Sequence, residues 1–194
     1  MPSANEAALS SWDAGHAFLA EGDLRQATHA FREAVRIDPH FGEAYMDLGA
    51  CLGNRGEWQQ CADAHRRALA LIPEYFEASC NLGVALTELE SYTEAELHFR
   101  RALELRPAEP VVLLRLAFVL AQQSKCAEAL QAAESVLAAD PDSADAHILV
   151  ARELAHFGRN AEAKAALERA LALKPDILDT WKDVEELWES LQSI

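Results

Sequence analysis

Positive charge is scarce in this chain. Its 194 residues carry 17 Lys+Arg against 32 Asp+Glu, a formal net charge of −15. Binding to nucleic acid or anionic lipid needs clustered cations to neutralise phosphates, so this balance argues against both as partners. Cysteine pairs are missing too. Cys51, Cys61, Cys80 and Cys126 include no C-x-x-C, and no Cys/His group has zinc-ligand spacing. Each lies inside a helical pattern, where cysteine behaves as a small apolar residue. The expectation is a reducing compartment, the cytoplasm, with no structural metal and no cofactor. No stretch reaches the ~18 uninterrupted apolar residues of a membrane span. The opening Met-Pro-Ser-Ala-Asn-Glu has neither a basic n-region nor a long apolar run, so no signal peptide is expected.

Catalytic signatures are equally sparse. The chain has no P-loop, no G-x-G-x-x-G after a strand, no H-E-x-x-H and no G-x-S-x-G. No segment reads as a strand. The histidines (His16, His29, His40, His65, His98, His147 and His156) are scattered over different segments and faces. His65 falls at a core register and reads as a packed side chain. No nucleophile–base pair emerges, so the chain is not expected to be an enzyme.

What is present is a period. Pro39, Pro73, Pro107, Pro141 and Pro175 stand 34 residues apart. Small residues recur at fixed distances before them. Five before stand Ala34, Ala68, Ala102, Val136 and Ala170. Twelve before stand Ala27, Cys61, Ala95, Ala129 and Ala163. Twenty-four before stand Gly15, Gly49, Gly83, Ala117 and Ala151. Larger residues hold the register twenty-one before, at Phe18, Leu52, Leu86, Leu120 and Leu154, and eight before, at Phe31, His65, Phe99 and Leu167, with Ala133 in the fourth unit. Pairs such as Leu48 and Leu52, or Leu116 and Leu120, are spaced i, i+4 and make one apolar helix face. Between the two halves of a unit stand Gly22, Gly56 and Gly158, suited to a left-handed helix cap. Glu90 and Ser124 take that place in the third and fourth units. Each unit is therefore a pair of antiparallel helices whose small residues let the two backbones approach, and each proline ends the second helix.

The segments Ala-Tyr-Met-Asp-Leu-Gly-Ala-Cys-Leu (44–52) and Glu-Ala-Glu-Leu-His-Phe-Arg-Arg-Ala-Leu-Glu-Leu-Arg-Pro (94–107), with this period, resemble the tetratricopeptide repeat. The resemblance implies an all-α fold, a right-handed superhelical solenoid of antiparallel helix pairs. After a lead-in at 1–7 it would have repeats at 8–41, 42–75, 76–109, 110–143 and 144–177, forming one continuous domain over 8–194. Cys61, His65 and Ala133 depart from the family pattern and imply slightly altered packing. Residues 178–194 read as a capping helix. Trp181, Val184, Trp188 and Leu191 lie on one side, with Asp179, Asp183, Glu185, Glu186 and Glu189 on the other. A solenoid needs such a half-polar end, and an acidic polar face does not suit a membrane surface.

In arrays of this family the first helices line a concave groove that binds proteins. The resemblance thus implies a non-catalytic adaptor that holds a peptide or helix of a partner. The positions that would line the groove are Asp13, His16, Met46, Asp47, Ala50, Asn81, Val84, Leu114, Arg115, Phe118, Ile148 and Arg152. Asp13, Glu43, Asp47, Glu77 and Glu88 make one end acidic, while Arg115 and Arg152 lie toward the other. Phe118 and Leu114 would anchor apolar side chains, Arg115 would meet an acid, and Asp13 and Asp47 a base. Some relatives clamp a chaperone's C-terminal carboxylate with lysines, asparagines and an arginine. The matching positions here hold Met46, Ala50, Asn81, Val111 and Arg115, so the clamp is incomplete and that ligand is not expected. The segment 81–90 also resembles repeats attached to protein O-glycosyltransferases. Their asparagine ladder is broken here by Asp13, Asp47, Arg115 and Leu149. The alternative reading is a self-assembling module that forms a homo-oligomer through its ends or groove, the N-terminal end with Leu9 and Trp12 being the expected contact.

Overall fold

The computed structural model describes residues 4–180 and 182–192. Among them every regular element is an α-helix. The described residues fall into two compact units, those up to Leu105 and those from Arg106 onward.

The first unit holds three helix pairs: α1 (Ala4–Ala20) with α2 (Leu24–Ile37), α3 (Gly42–Asn54) with α4 (Trp58–Leu71), and α5 (Phe76–Glu88) with α6 (Tyr92–Leu105). The recurring small residues lie at the junction of each helix pair, but at the glycine register they admit a ring of the second helix rather than its backbone. Phe31, His65 and Phe99 on the second helices are fully buried. Each ring lies against the glycine of its own first helix. A Cβ added at Gly15, Gly49 or Gly83 would stand 2.4, 2.6 or 2.6 Å from the facing ring, a distance real Cβ contacts do not reach. Glycine there is a packing requirement: it makes room for an aromatic ring at the helix–helix junction.

The second unit holds α7 (Pro110–Gln122) with α8 (Cys126–Ala139) and α9 (Ala144–His156) with α10 (Asn160–Leu173). Here the same junction is filled in the opposite proportion. Ala117 and Ala151 replace the glycines, while Ala133 and Leu167 replace the aromatic rings, and all four are fully buried. Larger on one helix is matched by smaller on the other, which conserves the volume of the junction. The chain is helical again over α11 (Ile177–Thr180) and α12 (Lys182–Gln192). Val184 and Leu191 of α12 join Leu167 and Ala170 of α10 in one core, with Leu187 and Trp188 packed at its edge. The segment therefore covers the face that α10 would otherwise expose. Trp181 and the side chain of Asp179 lie outside the described residues.

The intra-repeat turns all use the left-handed region. Gly22, Gly56 and Gly158 have φ of 79°, 73° and 72°, and Glu90 and Ser124 hold the same turn at 56° and 58°. Packing of the flanking helices overrides the local preference for glycine at these two turns, at about 1 kcal/mol each.

Candidate partner-binding faces

In the first unit the first helices carry an acidic and aromatic face. Trp12 of α1 donates its Nε1–H to Asp47 Oδ2 of α3 at 2.7 Å, and His16 Nε2 lies 3.1 Å from the same oxygen. The Trp12 and His16 rings meet edge-on at 4.4 Å, and Trp12 also leans on Phe41 at 5.6 Å. This arrangement fixes α1 against α3 across one repeat. Burial pushes the Asp47 carboxyl up, opposed by the Trp12 hydrogen bond and by His16. Nearby, burial and the charges of Asp47, Glu77 and Glu43 push the Tyr75 hydroxyl up, so Tyr75, Asp47, Glu43 and Glu77 share one negative neighbourhood. Asp13 is exposed, while Met46, Ala50, Asn81 and Val84 are half-buried.

In the second unit α7 presents a different chemistry. Val111 is 60% and Phe118 38% exposed. Leu114 is half-buried between them, packed at the edge of the unit's core, and Arg115 is exposed. Their spacing, i, i+3, i+4 and i+7, puts them on one side of the helix. Arg115 has no hydrogen bond or ion pair with any described residue, although most cations of this unit do: Arg169 with Asp142, Lys174 with Asp145 and Arg159 with Glu162. An apolar stripe with an unmatched guanidinium at its centre results.

The predicted positions thus separate into three kinds. His16 and Asp47 come together, joined by Trp12, which was not among the predicted groove positions. Leu114, Arg115 and Phe118 come together on α7, joined by Val111, which was not among the predicted groove positions; its signal was the helical spacing to Arg115 and Phe118. Ile148 and Arg152 do not present themselves. Ile148 is 1% exposed and packs in the core of the second unit. Arg152 is engaged by Asp183 of α12. The thiols offer little reactivity: Cys51 and Cys61 are buried and pushed up to about 11 by burial. Among the described residues no three of His, Cys, Asp and Glu converge to hold a metal ion, and no helix is long and apolar enough to cross a membrane.

A helix pair repeated every 34 residues, with small residues at the junction and unpartnered side chains on the first helices, defines a helical-repeat protein. The chain belongs to the tetratricopeptide repeat family, whose models match residues 13–60, 52–110 and 120–182. Its fold is shared with several solved structures. YrrB, described as a TPR protein with an unusual peptide-binding site, has a TM-score of 0.84 at 21% identity, covering 96% of this chain and 92% of that one. MamA has a TM-score of 0.79 at 20% identity, covering 85% and 96%. A tetratricopeptide repeat protein from Parabacteroides merdae has a TM-score of 0.80 at 18% identity, covering 96% and 72%. At such identities the likeness shows the fold alone. No curated protein matches the chain.

Proposed function

We propose that this chain is a non-catalytic scaffold that holds a peptide or helical segment of a partner protein on the first helices of its repeats. The family is generally a protein-interaction scaffold, and YrrB, of the same fold, is described with a peptide-binding site. The observation that carries the reading is the α7 stripe, where exposed Val111 and Phe118 flank an Arg115 with no described partner. Exposed aromatic and arginine side chains are the residues that most often dominate interfaces. Leu114 and Phe118 would seat apolar side chains, and Arg115 would take a carboxylate. Asp13 and Glu43, both exposed, would meet a basic residue, whereas Asp47 mainly braces Trp12 and His16. Four free thiols suit a reducing compartment, the cytoplasm.

A random-peptide display panned against the protein tests this reading. The expected consensus pairs large apolar residues with an aspartate or glutamate, and its binding is lost with Phe118→Glu. An enriched consensus that binds the variant equally well would place recognition elsewhere. Self-assembly is the second reading, favoured by Leu9, a large apolar side chain left exposed on α1. Light scattering decides it: a mass that rises with concentration supports association, and a constant monomer mass removes it.

A further inference from the structure

Beside the α1–α2 and α3–α4 turns of the first unit is a cavity of about 650 Å³ lined by Asp23, Arg25, Gln26, His29, Arg32 and Arg55. Three arginines share this place in a chain with a formal net charge of −15. The stripe of α2 that carries Arg25, His29 and Arg32 lies away from its buried residues Ala27, Phe31 and Ala34.

Two of the guanidiniums are held in place from behind. Glu57 accepts a 2.7 Å hydrogen bond from Arg55 Nε and a 2.8 Å one from Gln60 Nε2. Arg32 donates from one terminal nitrogen to Gln60 Oε1 at 2.7 Å, with Glu57 3.6 Å away. Glu57 is 25% exposed, less than Arg55 at 34% or Arg32 at 47%. Each guanidinium offers five N–H donors. Arg55 uses only its Nε–H among the described residues, and Arg25 uses none. The carboxylates are occupied as well: Asp23 accepts the Gln26 backbone N–H at the start of α2, and Glu33, near His29, is bonded to Arg36. Glu57 and Gln60 thus brace the arginines and leave most of their donors unmatched, which lowers the ordering loss on binding an anion.

From this arrangement we infer a second docking site, distinct from the α7 stripe, that takes a short acidic segment of a protein partner. Along α2 the lining runs from Arg25 to Arg32, roughly 10 Å of helix, more than a single phosphate spans. Its only ring is His29, so it lacks the stacking faces that hold a nucleobase. The Gln26 side-chain amide suits a peptide carbonyl or amide beside the carboxylates. Three arginines against Asp23 and Glu57 leave a local formal charge of +1 in a chain of −15, so the segment is short: acids that reach the arginines are attracted and those beyond them are repelled.

Fluorescence anisotropy with a labelled heptapeptide containing three consecutive glutamates, titrated with the full chain, tests the site. Expected is saturable one-to-one binding that weakens on raising salt from about 50 mM to about 300 mM. The exposed double substitution Arg25→Ala, Arg55→Ala should weaken it at least ~10-fold while circular dichroism stays unchanged. A matching peptide with three lysines should not displace the glutamate peptide. Phe118→Glu should leave the glutamate peptide's affinity unchanged, which separates this site from the α7 stripe. Equal affinity of the double variant overturns the inference. So does calorimetric binding of pyrophosphate without binding of the peptide, which would mark a small-oxyanion site instead.

Discussion

His65 occupies the place that Phe31 and Phe99 fill in the neighbouring repeats, facing Gly49 at the helix junction. Both of its ring nitrogens are buried without a hydrogen-bond partner, and burial pushes its pKa down to about 4. The ring is therefore neutral in the folded protein and acts as an apolar filler. Protonation of the unfolded chain begins near pH 6.5, that of the folded chain only near 4. Stability from this residue is intact above about 6.5 and is lost as pH falls toward 4, by roughly 3 kcal/mol in all. His65→Phe should remove that acid sensitivity and raise stability by about 1–2 kcal/mol. Thermal unfolding of both proteins at neutral pH and near pH 4.5 checks it: the gap between them should widen at the lower pH. A gap independent of pH would mean that His65 is not held neutral.

Register counting made much of this scale legible. Gly15, Gly49 and Gly83 stood out as small residues, but their reason, a ring lying over each, needed the second helix in place. Asp47 read as a free acid because a register gives no distance across repeats, and Trp12 and His16 come from the previous one. Arg152 read as a free cation for the same reason, since Asp183 lies far along the chain.

At the level of the helix pair, junction volume is the controlling quantity. Gly83→Ala would drive a Cβ to 2.6 Å from Phe99. It should lower stability by about 1–3 kcal/mol in denaturant unfolding. Ala163→Leu should act likewise, because Ala163 is fully buried at the corresponding junction of α10. The turns respond in the other direction. Glu90→Gly and Ser124→Gly relieve a left-handed backbone and should each add about 0.5–1 kcal/mol. No gain in either variant would show that these side chains make up the backbone strain. Helix existence was readable from the 34-residue period; which helix face stays open was not. Ile148 shares an apolar register with Leu114, yet α9 buries it while α7 leaves Leu114 at a surface. That difference depends on the neighbouring helices, which one helix's periodicity does not report.

Across the whole molecule, the acidic composition, the capped C-terminal unit and the exposed Val111, Arg115 and Phe118 of α7 fit an adaptor. The cap is testable on its own. Val184→Asp puts a charge into the core shared by α10 and α12. It should destabilise the second unit by about 2–4 kcal/mol in chemical unfolding. The scaffold reading rests on α7, and the most direct measurement is paired capture from lysate of the source cell, with wild type and the Phe118→Glu, Arg115→Glu double variant as baits. A protein retained by wild type and lost by the variant is expected, with the variant's helicity and unfolding unchanged. The same protein retained by both baits would contradict it and move recognition off the α7 stripe.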